Sequence, residues 1–202
     1  MEPNTSKEVF DKFVPLAAAE YCDEIYRYFG FEFQVKKSRT TKFGDYRFDP
    51  SKGKHVITIN NDLNPFHFLI TYLHEVAHLI TYKEHGSAVT PHGQEWKSNF
   101  KRTLRPVLNE QNFPQDVLIA LKKHLNQPKA TSCSDPLLYG VLKNYDKEEG
   151  KILLKDLRPQ DRFTFNGKTY RKISKRRTRS VCEEISSKRK YLIPEIASVS
   201  KL

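Results

Sequence analysis

The stretch NPFHFLITYLHEVAHLITYKEH, residues 64–85, decides the fold of the first part of the chain. Proline in its second position suits the first turn of a helix, and apolar residues then recur at helical spacing, which predicts a long amphipathic helix. The stripe expected to pack on the rest of the domain consists of Phe66, Leu69, Ile70, Leu73, Ala77 and Ile80. The opposite face holds His74, Glu75 and His78. The helix therefore has a core face and a site face.

The spacing of the two histidines on this helix indicates a metal site. Residues four apart lie on one face, so the imidazoles of His74 and His78 can bind one metal ion. Glu75 projects to one side, where its carboxylate can meet a water on the metal rather than the metal itself. A catalytic zinc site needs a third protein ligand and keeps a fourth position open. Spacing alone leaves three candidates for the third ligand, namely His85, His92 and Glu95. His85 is the weakest of them, because seven residues of helix rise about 10 Å.

The elements around this helix predict an α+β front domain. Helices are expected at residues 7–29, 93–108 and 114–125, and strands at residues 31–37, 43–48 and 55–60. Between the second and third strands, the segment DPSKG at residues 49–53 is a strong turn signal and predicts a hairpin.

Two motifs together resemble the SprT-like, or Spartan-type, zinc metalloproteases. They are HEVAHLI at residues 74–80 and HGQEWK at residues 92–97. The segment HVITINNDL at residues 55–63 also resembles the strand and turn that lead into the family's motif. The resemblance covers about residues 5–125. It implies a zincin-like catalytic domain, in which a long HExxH helix packs on a small β-sheet and further helices follow.

The resemblance also implies roles for individual residues. In the family, the third zinc ligand is a His followed by Gly, with an aromatic residue soon after. Carried over by position, His74, His78 and His92 bind one Zn²⁺ ion and Glu75 is the general acid and base. Glu95 then has no place among the ligands. Many SprT-like proteins continue into a four-cysteine zinc ribbon, and this chain departs from that pattern because its three cysteines include no C-x-x-C pair.

The net charge of +11 is concentrated near the end of the chain. Residues 151–202 contain 15 Lys+Arg and 5 Asp+Glu, which gives +10, whereas residues 1–150 carry +1. Such asymmetry indicates two parts with different partners. We expect a SprT-like domain at residues 1–128, a linker with a short helix at residues 129–150, and a small basic β-domain at residues 151–202.

Short alternating runs with a tight Asn-Gly turn at residues 166–167 predict the β-domain. Its basic residues neutralise phosphates if they contact nucleic acid, and the interleaved aromatic residues offer surfaces on which bases can stack. The predicted nucleic-acid contacts are Arg171, Lys172, Lys175, Arg176, Arg177, Arg179, Lys188, Arg189 and Lys190. The interleaved aromatic residues are Phe163, Phe165, Tyr170 and Tyr191. The alternative is a solvated basic face whose aromatic residues form the core of the small domain.

The sequence disfavours membrane-spanning, secreted and disulfide-rich proteins. No run approaches the roughly 18 apolar residues of a membrane span, and the first residues show no secretory signal pattern. Three scattered cysteines argue against a disulfide framework and favour a reducing compartment. We therefore expect a cytoplasmic protein, nucleoid-associated if it binds DNA.

Two functions from different classes remain. The first is a zinc-dependent peptidase that cleaves DNA-associated or DNA-crosslinked proteins, as in DNA repair. The second is a non-catalytic nucleic-acid-binding or transcription-associated protein whose zinc only stabilises the fold. Glu75 favours the first, because a structural metal site has no need of a carboxylate beside its water.

Overall fold

The computed structural model describes residues 6–39, 41–126, 128, 135–146 and 151–202. It is an α+β structure with two compact units, Met1–Leu142 and Lys143–Leu202. The boundary between the units lies inside the segment for which the sequence predicts a linker, residues 129–150. Within that segment, residues 129–134 and 147–150 lie outside the described part of the chain.

Helices form most of the first unit. In chain order they are α1 (Ser6–Phe13), α2 (Leu16–Phe29), α3 (Pro65–His85), α4 (Gln94–Leu104), α5 (Gln115–Asn126) and α6 (Pro136–Lys143). The expectation of one continuous helix at residues 7–29 is wrong, because α1 ends before Val14 and α2 begins after Pro15. Proline lacks an N–H group and disfavours helical geometry in the residue before it.

The first sheet is small and has a free edge beside α3. Its strands are β1 (Glu32–Lys36), β2 (Gly44–Asp49) and β3 (Lys54–Asn60), in the order β1-β3-β2. The central strand β3 pairs in parallel with β1 and antiparallel with β2, so that Tyr46 lies opposite Ile57 and Phe48 opposite His55. Strand β2 is therefore an edge strand of this sheet.

Helix α3 begins and ends at defined caps. The Asn64 side chain accepts a hydrogen bond from the backbone N–H of His67 at 3.0 Å, and Pro65 occupies the first turn. At the other end, Gly86 has a φ of 63° and donates its N–H to the Tyr82 carbonyl at 2.7 Å. The asparagine cap satisfies one of the free N–H groups of the first turn.

The buried surface of α3 is wider than the predicted apolar stripe. Phe68, Tyr72 and Leu79 are fully buried on other faces of the helix. Phe68 stacks on Phe13 with ring centroids 5.0 Å apart, and the Tyr72 hydroxyl donates to the Cys22 carbonyl at 2.9 Å. The first two helices cover these faces, so α3 is the central element of its unit.

The second unit is an antiparallel sheet. Its strands are β4 (Lys151–Leu153), β5 (Arg162–Phe165), β6 (Lys168–Arg176), β7 (Arg179–Glu184), β8 (Lys190–Pro194) and β9 (Ser198–Lys201). They lie in the order β4-β9-β5-β6-β7-β8. The sequence did not predict β4 or β9. Within the described ranges of the whole chain, no helix has the length and apolar character needed to cross a bilayer.

Candidate metal centre

Three histidines bring their Nε2 atoms together on the first unit. The Nε2 of His78 lies 2.9 Å from that of His92 and 3.3 Å from that of His74, and the His74 and His92 atoms are 3.3 Å apart. Two nitrogens of a tetrahedral zinc site with bonds of about 2.0–2.1 Å are about 3.3 Å apart. The triangle therefore has the dimensions of three ligands on one metal ion. Among the described residues, this is the cluster whose ligand atoms all lie within 4.8 Å of one another.

Two elements supply these ligands. His74 and His78 are one turn apart on α3, and His92 precedes α4 in the turn formed by residues 90–93, where the Gly93 N–H donates to the Thr90 carbonyl at 2.9 Å. His92 has a φ of 60°. A positive φ in the third position of a turn, after Pro91, is the signature of a type II turn and is unfavourable for a residue with a side chain. Strain of this kind is typical of functional sites.

The backbone at position 93, directly after His92, leaves room only for a glycine. A Cβ at this position would lie 2.8 Å from the Thr90 carbonyl oxygen, closer than real contacts allow. The next turn places Trp96, which is fully buried, against the metal ligands. Its ring centroid lies 4.6 Å from that of His74 and 4.7 Å from that of His92, and its Nε1 donates to the His74 carbonyl at 3.4 Å. Trp96 thus joins α4 to α3 beside the ligands.

The surroundings keep the histidines neutral, which is the form that binds metal. Burial, followed by the charges of the neighbouring histidines, lowers the pKa of His74 well below its usual value. Burial and the charge of His92 lower the pKa of His78 to about 3. Burial alone lowers the pKa of His92.

Glu75 lies beside the histidine triangle and is buried, with 7% of its surface exposed. Burial, with a smaller contribution from the charge of Asp45, raises the pKa of Glu75 to about 8. The backbone N–H of Tyr46, on the edge strand β2, donates to the carboxylate and acts in the opposite direction. A carboxyl group whose pKa lies near neutrality can both accept and return a proton.

A cleft of about 540 Å³ opens over these groups. Its walls include all three histidines and Glu75, with Gly44 and Tyr46 from β2 on one side and Thr90 and Pro91 on the other. The centre therefore faces a cavity large enough for a segment of peptide.

Gly44 is a site residue that the sequence analysis missed. A Cβ there would lie 2.6 Å from the Glu75 Oε1 atom and 2.7 Å from the Thr71 Cγ2 atom. Asn60, at the end of β3, holds the segment that leads into β2. Its side-chain amide donates to the carbonyls of Arg39 and Lys42 at 3.2 and 2.9 Å. Only the packing of β2 on α3 brings Gly44 against Glu75, so no local signal could have identified it.

Gly44→Ala is expected to displace Glu75 and to destabilise the first unit by about 1–3 kcal/mol, the usual cost of overpacking. Chemical denaturation measures the loss, and peptide turnover measures the displacement. Combining Gly44→Ala with Glu75→Ala removes the nearest clash and should recover part of the stability. Equal losses in the single and double variants would contradict the contact.

The other candidates for the third ligand lie elsewhere. His85 is exposed at the end of α3, where its Nε2 lies 3.8 Å from Glu84. Glu95 lies on α4, outside the cluster of three histidines. His92 is thus the candidate that the structure brings to His74 and His78.

Seven of the nine predicted nucleic-acid contacts form two groups at opposite ends of β7. Lys175, Arg176, Arg177 and Arg179 surround the turn between β6 and β7 and are exposed. We call these four residues the hairpin tip. Lys188 and Arg189, in the connection from β7 to β8, and Lys190, the first residue of β8, are also exposed. The second group shares its end of the sheet with Glu183 and Glu184, which pair with Arg171 and Lys168 at 2.9 Å each.

Lys172 corrects the prediction for this unit, because it is buried with 4% of its surface exposed. Its Nζ donates to the carbonyls of Leu154 and Leu157 at 2.7 and 3.0 Å and lies 3.2 Å from the Glu195 carboxylate. Successive residues of a strand point to opposite faces, and Lys172 points inward. It holds the unit together and is not available to nucleic acid.

The aromatic residues of this unit are also placed differently from the stacking prediction. Phe163 and Tyr170 are 0% and 6% exposed and belong to the core. Phe165 packs against that core, and Tyr191 keeps 38% of its surface exposed. The aromatic residues mainly stabilise the sheet. Cys182 is a free, buried thiol in the same core, and Cys133 lies outside the described residues.

The fold and the histidine cluster define a protein with a candidate three-histidine metal centre on an α+β domain. The chain belongs to the SprT-like family, whose model matches residues 7–117. That match includes the three histidines and Glu75, and it is consistent with a metallopeptidase fold. Neither a curated protein nor a solved structure gives a significant match to this chain.

Proposed function

We propose that this protein is a zinc-dependent peptidase that cleaves proteins associated with DNA. The observation that carries the proposal is the triangle of His74, His78 and His92 Nε2 atoms, 2.9–3.3 Å apart, with the Glu75 carboxylate beside it in an open cleft. Three neutral imidazoles and a free fourth position are the donor set of catalytic zinc.

The chemistry divides between the metal and the chain. A zinc ion held by the three histidines supplies Lewis acidity, which acidifies water and polarises a carbonyl group. Glu75 accepts the proton of the attacking water and then delivers it to the leaving amine. The Tyr46 N–H favours the charged form of the Glu75 carboxyl group, which is the form that accepts a proton.

The cleft suits an extended substrate. Among the described residues, strand β2 pairs with β3 alone, and its other edge runs beside Glu75 and lines the cleft. Unpaired backbone groups of an edge strand can pair with an added peptide strand. Such pairing holds a peptide backbone without selecting its sequence, which suits a peptidase with many protein substrates.

The alternative function, with a zinc ion that only stabilises the fold, fits this site less well. Structural zinc sites are almost always closed by four protein ligands. The cluster among the described residues offers three histidines and opens into the cleft. Burying a carboxyl group beside this cluster also costs free energy, and a zinc ion that only stabilises the fold does not require that carboxyl group.

The DNA part of the proposal rests on the hairpin tip. Four exposed cations surround one turn. Lys175 shares the Glu195 carboxylate with Lys172, at 3.8 and 3.2 Å, whereas Arg176, Arg177 and Arg179 form no ion pair with any described residue. The tip therefore presents an almost uncompensated positive charge, which suits the phosphates of DNA. Attachment through this unit would keep the peptidase near DNA-bound proteins, in the cytoplasm at the nucleoid.

A quadruple alanine variant of the hairpin tip is expected to lose most of its DNA affinity and to reduce the slope of log K against log salt by about 3–4, since each of the four phosphate contacts contributes about 0.7–0.9. Fluorescence anisotropy with single- and double-stranded oligonucleotides measures both quantities. The matched control replaces Lys188, Arg189 and Lys190 by alanine. A smaller effect is expected there, because three cations are removed instead of four and that end of the sheet holds two glutamates against one at the tip. Equal effects of the two variants would contradict the assignment to the tip.

Proteolysis of a DNA-binding protein, with and without single-stranded DNA, tests the whole proposal. The zinc-loaded wild type should cleave it, DNA should accelerate the cleavage, and Glu75→Gln should not cleave under either condition. Cleavage that is independent of DNA would remove the nucleic-acid half of the proposal. Cleavage by Glu75→Gln at the wild-type rate would remove the mechanism.

A further inference from the structure

The cleft continues past the histidines along a surface of aromatic side chains. Tyr46, Phe48, His55 and Tyr82 form this surface, which we call the aromatic wall. The Tyr82 ring centroid lies 5.0 Å from that of Phe48, 5.8 Å from that of His55 and 6.2 Å from that of Tyr46. Tyr46 and Tyr82 line the cleft directly.

The aromatic wall is held in place by the hairpin of β2 and β3. Phe48 and His55 are directly paired across the two strands, and the Tyr46 hydroxyl lies 3.0 Å from Nδ1 of His55, a hydrogen-bond distance. The Tyr46 ring also lies parallel to that of His78, with centroids 6.4 Å apart. The wall is thus continuous with the metal centre.

The wall is not merely the packing of the hairpin on α3. All four of its members remain partly exposed, whereas the residues that pack this sheet on the helix, such as Ile57 and Leu73, are fully buried. The Tyr82 hydroxyl makes no hydrogen bond to any described residue. Exposed rings in a cleft gain free energy when an apolar group covers them.

The two ends of the cleft differ in character. Near Glu75 it is lined by Lys42 and Asp45, which pair with each other at 2.9 Å. Near Tyr82 it is aromatic. Tyr82 follows His78 by four residues, so it lies about 6 Å further along the helix axis. That distance corresponds to about two residues of an extended peptide.

We propose that the aromatic wall is a substrate subsite that selects a large apolar or aromatic side chain within two residues of the cleaved bond. This inference rests on the proposed peptidase function and names the substrate preference of the same site. The edge of β2 holds the peptide backbone, and Tyr82 covers the side chain that follows. Selection then comes from apolar burial rather than from charge.

A library of peptides that differ only at the positions next to one central bond tests the subsite with the zinc-loaded full chain. The wild type should cleave peptides with Phe, Tyr, Leu or Met there about 10-fold faster, in kcat/KM, than peptides with Gly or Asp, which is the discrimination available to an apolar pocket. Tyr82→Ala should lose this preference mainly through KM, and Tyr82→Phe should keep it. Tyr28→Ala is the matched control, because Tyr28 is 83% exposed on α2, away from the cleft.

A binding measurement separates the subsite from the chemistry. Glu75→Gln should bind the Phe-containing peptide about 10-fold more tightly than its Gly counterpart in calorimetry, and adding Tyr82→Ala should abolish the difference. If alanine at this position costs zinc content, Tyr82→Glu serves as the second variant, and it should shift the preference towards Lys and Arg.

The outcomes distinguish the two claims. Cleavage by the wild type with no side-chain preference overturns the subsite and leaves the peptidase standing. Apolar-selective binding that depends on Tyr82, in a wild type that cleaves nothing, overturns the peptidase and supports the subsite as a peptide-binding surface. If Tyr82→Ala leaves the side-chain preference unchanged in both cleavage and binding, then other residues cause the preference. That result overturns the inference.

Discussion

Glu75→Gln is expected to retain one zinc ion per chain and to lose at least about 10²–10⁴-fold in turnover, the contribution typical of a positioned general base. The amide keeps the size of the side chain and cannot accept a proton from water. It is not a ligand, because the ligand cluster consists of the three histidines alone. Steady-state peptide hydrolysis and elemental analysis of bound zinc measure the two quantities.

Glu95→Gln provides the matched control for this substitution. Glu95 lies close to the site on α4 but outside the cluster, so its amide variant should keep both zinc and turnover. A loss of turnover in Glu95→Gln comparable with that in Glu75→Gln would show that the acid–base role does not belong to Glu75 alone.

The same Glu75 substitution should stabilise the metal-free protein at neutral pH. Burial raises the folded-state pKa of Glu75 to about 8, above its value near 4.5 in the unfolded chain. The unfolded state therefore releases this proton first as the pH rises, and the wild type loses stability between those two values. Glu75→Gln lacks this loss. The difference in the free energy of unfolding between the variant and the wild type should therefore grow from pH 5 to pH 8, to about 1–3 kcal/mol in favour of the variant. Urea denaturation of chelated proteins at several pH values measures it.

His92→Ala is the second substitution with a large expected effect, a loss of zinc affinity of at least about 100-fold. Removing a residue that is hydrogen-bonded to a metal ligand already lowers metal affinity by about 10–100-fold. His92 is itself a ligand in the proposed site, so its removal should cost at least as much affinity. Turnover at limiting zinc should fall in parallel. Competition against a chelating dye measures the affinity.

His85→Ala is the control for this effect. It removes a histidine that the sequence also offered as a third ligand, but one that is exposed at the end of α3. Zinc affinity should be unchanged. A wild-type affinity in His92→Ala together with a weakened one in His85→Ala would reverse the assignment.

The sequence predicted the elements that local patterns control. The helix expected at residues 64–85 is α3, Pro65–His85, and the hairpin expected at the DPSKG turn joins β2 and β3. The break at Pro15 was missed because the apolar spacing continues through it. Strands β4 and β9 are three and four residues long, and only their pairing in the sheet, β4 with β9 and β9 with β5, makes them strands.

The candidate site was predictable where a single element contains it. His74, Glu75 and His78 lie within five residues of one helix. The third ligand stayed open on spacing alone, since a turn between helices can point in several directions, and only the family resemblance favoured His92. Gly44 and the Tyr46 N–H lie next to Glu75 because strand β2 packs on α3, and the sequence carries no local signal for that packing.

The basic unit shows the limit of charge counting. Composition located the excess charge correctly but could not assign each side chain to a face of the sheet. Lys172 and Lys175 are three positions apart, yet both reach Glu195, at 3.2 and 3.8 Å, because the register shifts between Lys172 and Ser174. Lys172 is buried, whereas Lys175 is exposed. A bulge changes the alternation of faces, and a bulge cannot be read from these residues alone.

The most direct test of the peptidase claim is the appearance of new peptide termini in a protein substrate, followed by mass spectrometry over time. We expect the full chain loaded with one zinc ion to create new termini, a chelator to stop their formation, and added zinc to restore it. We expect no new termini from Glu75→Gln carrying the same zinc. A wild type that holds one zinc ion on the three histidines and creates no new termini in any protein substrate, with or without DNA, would contradict the account.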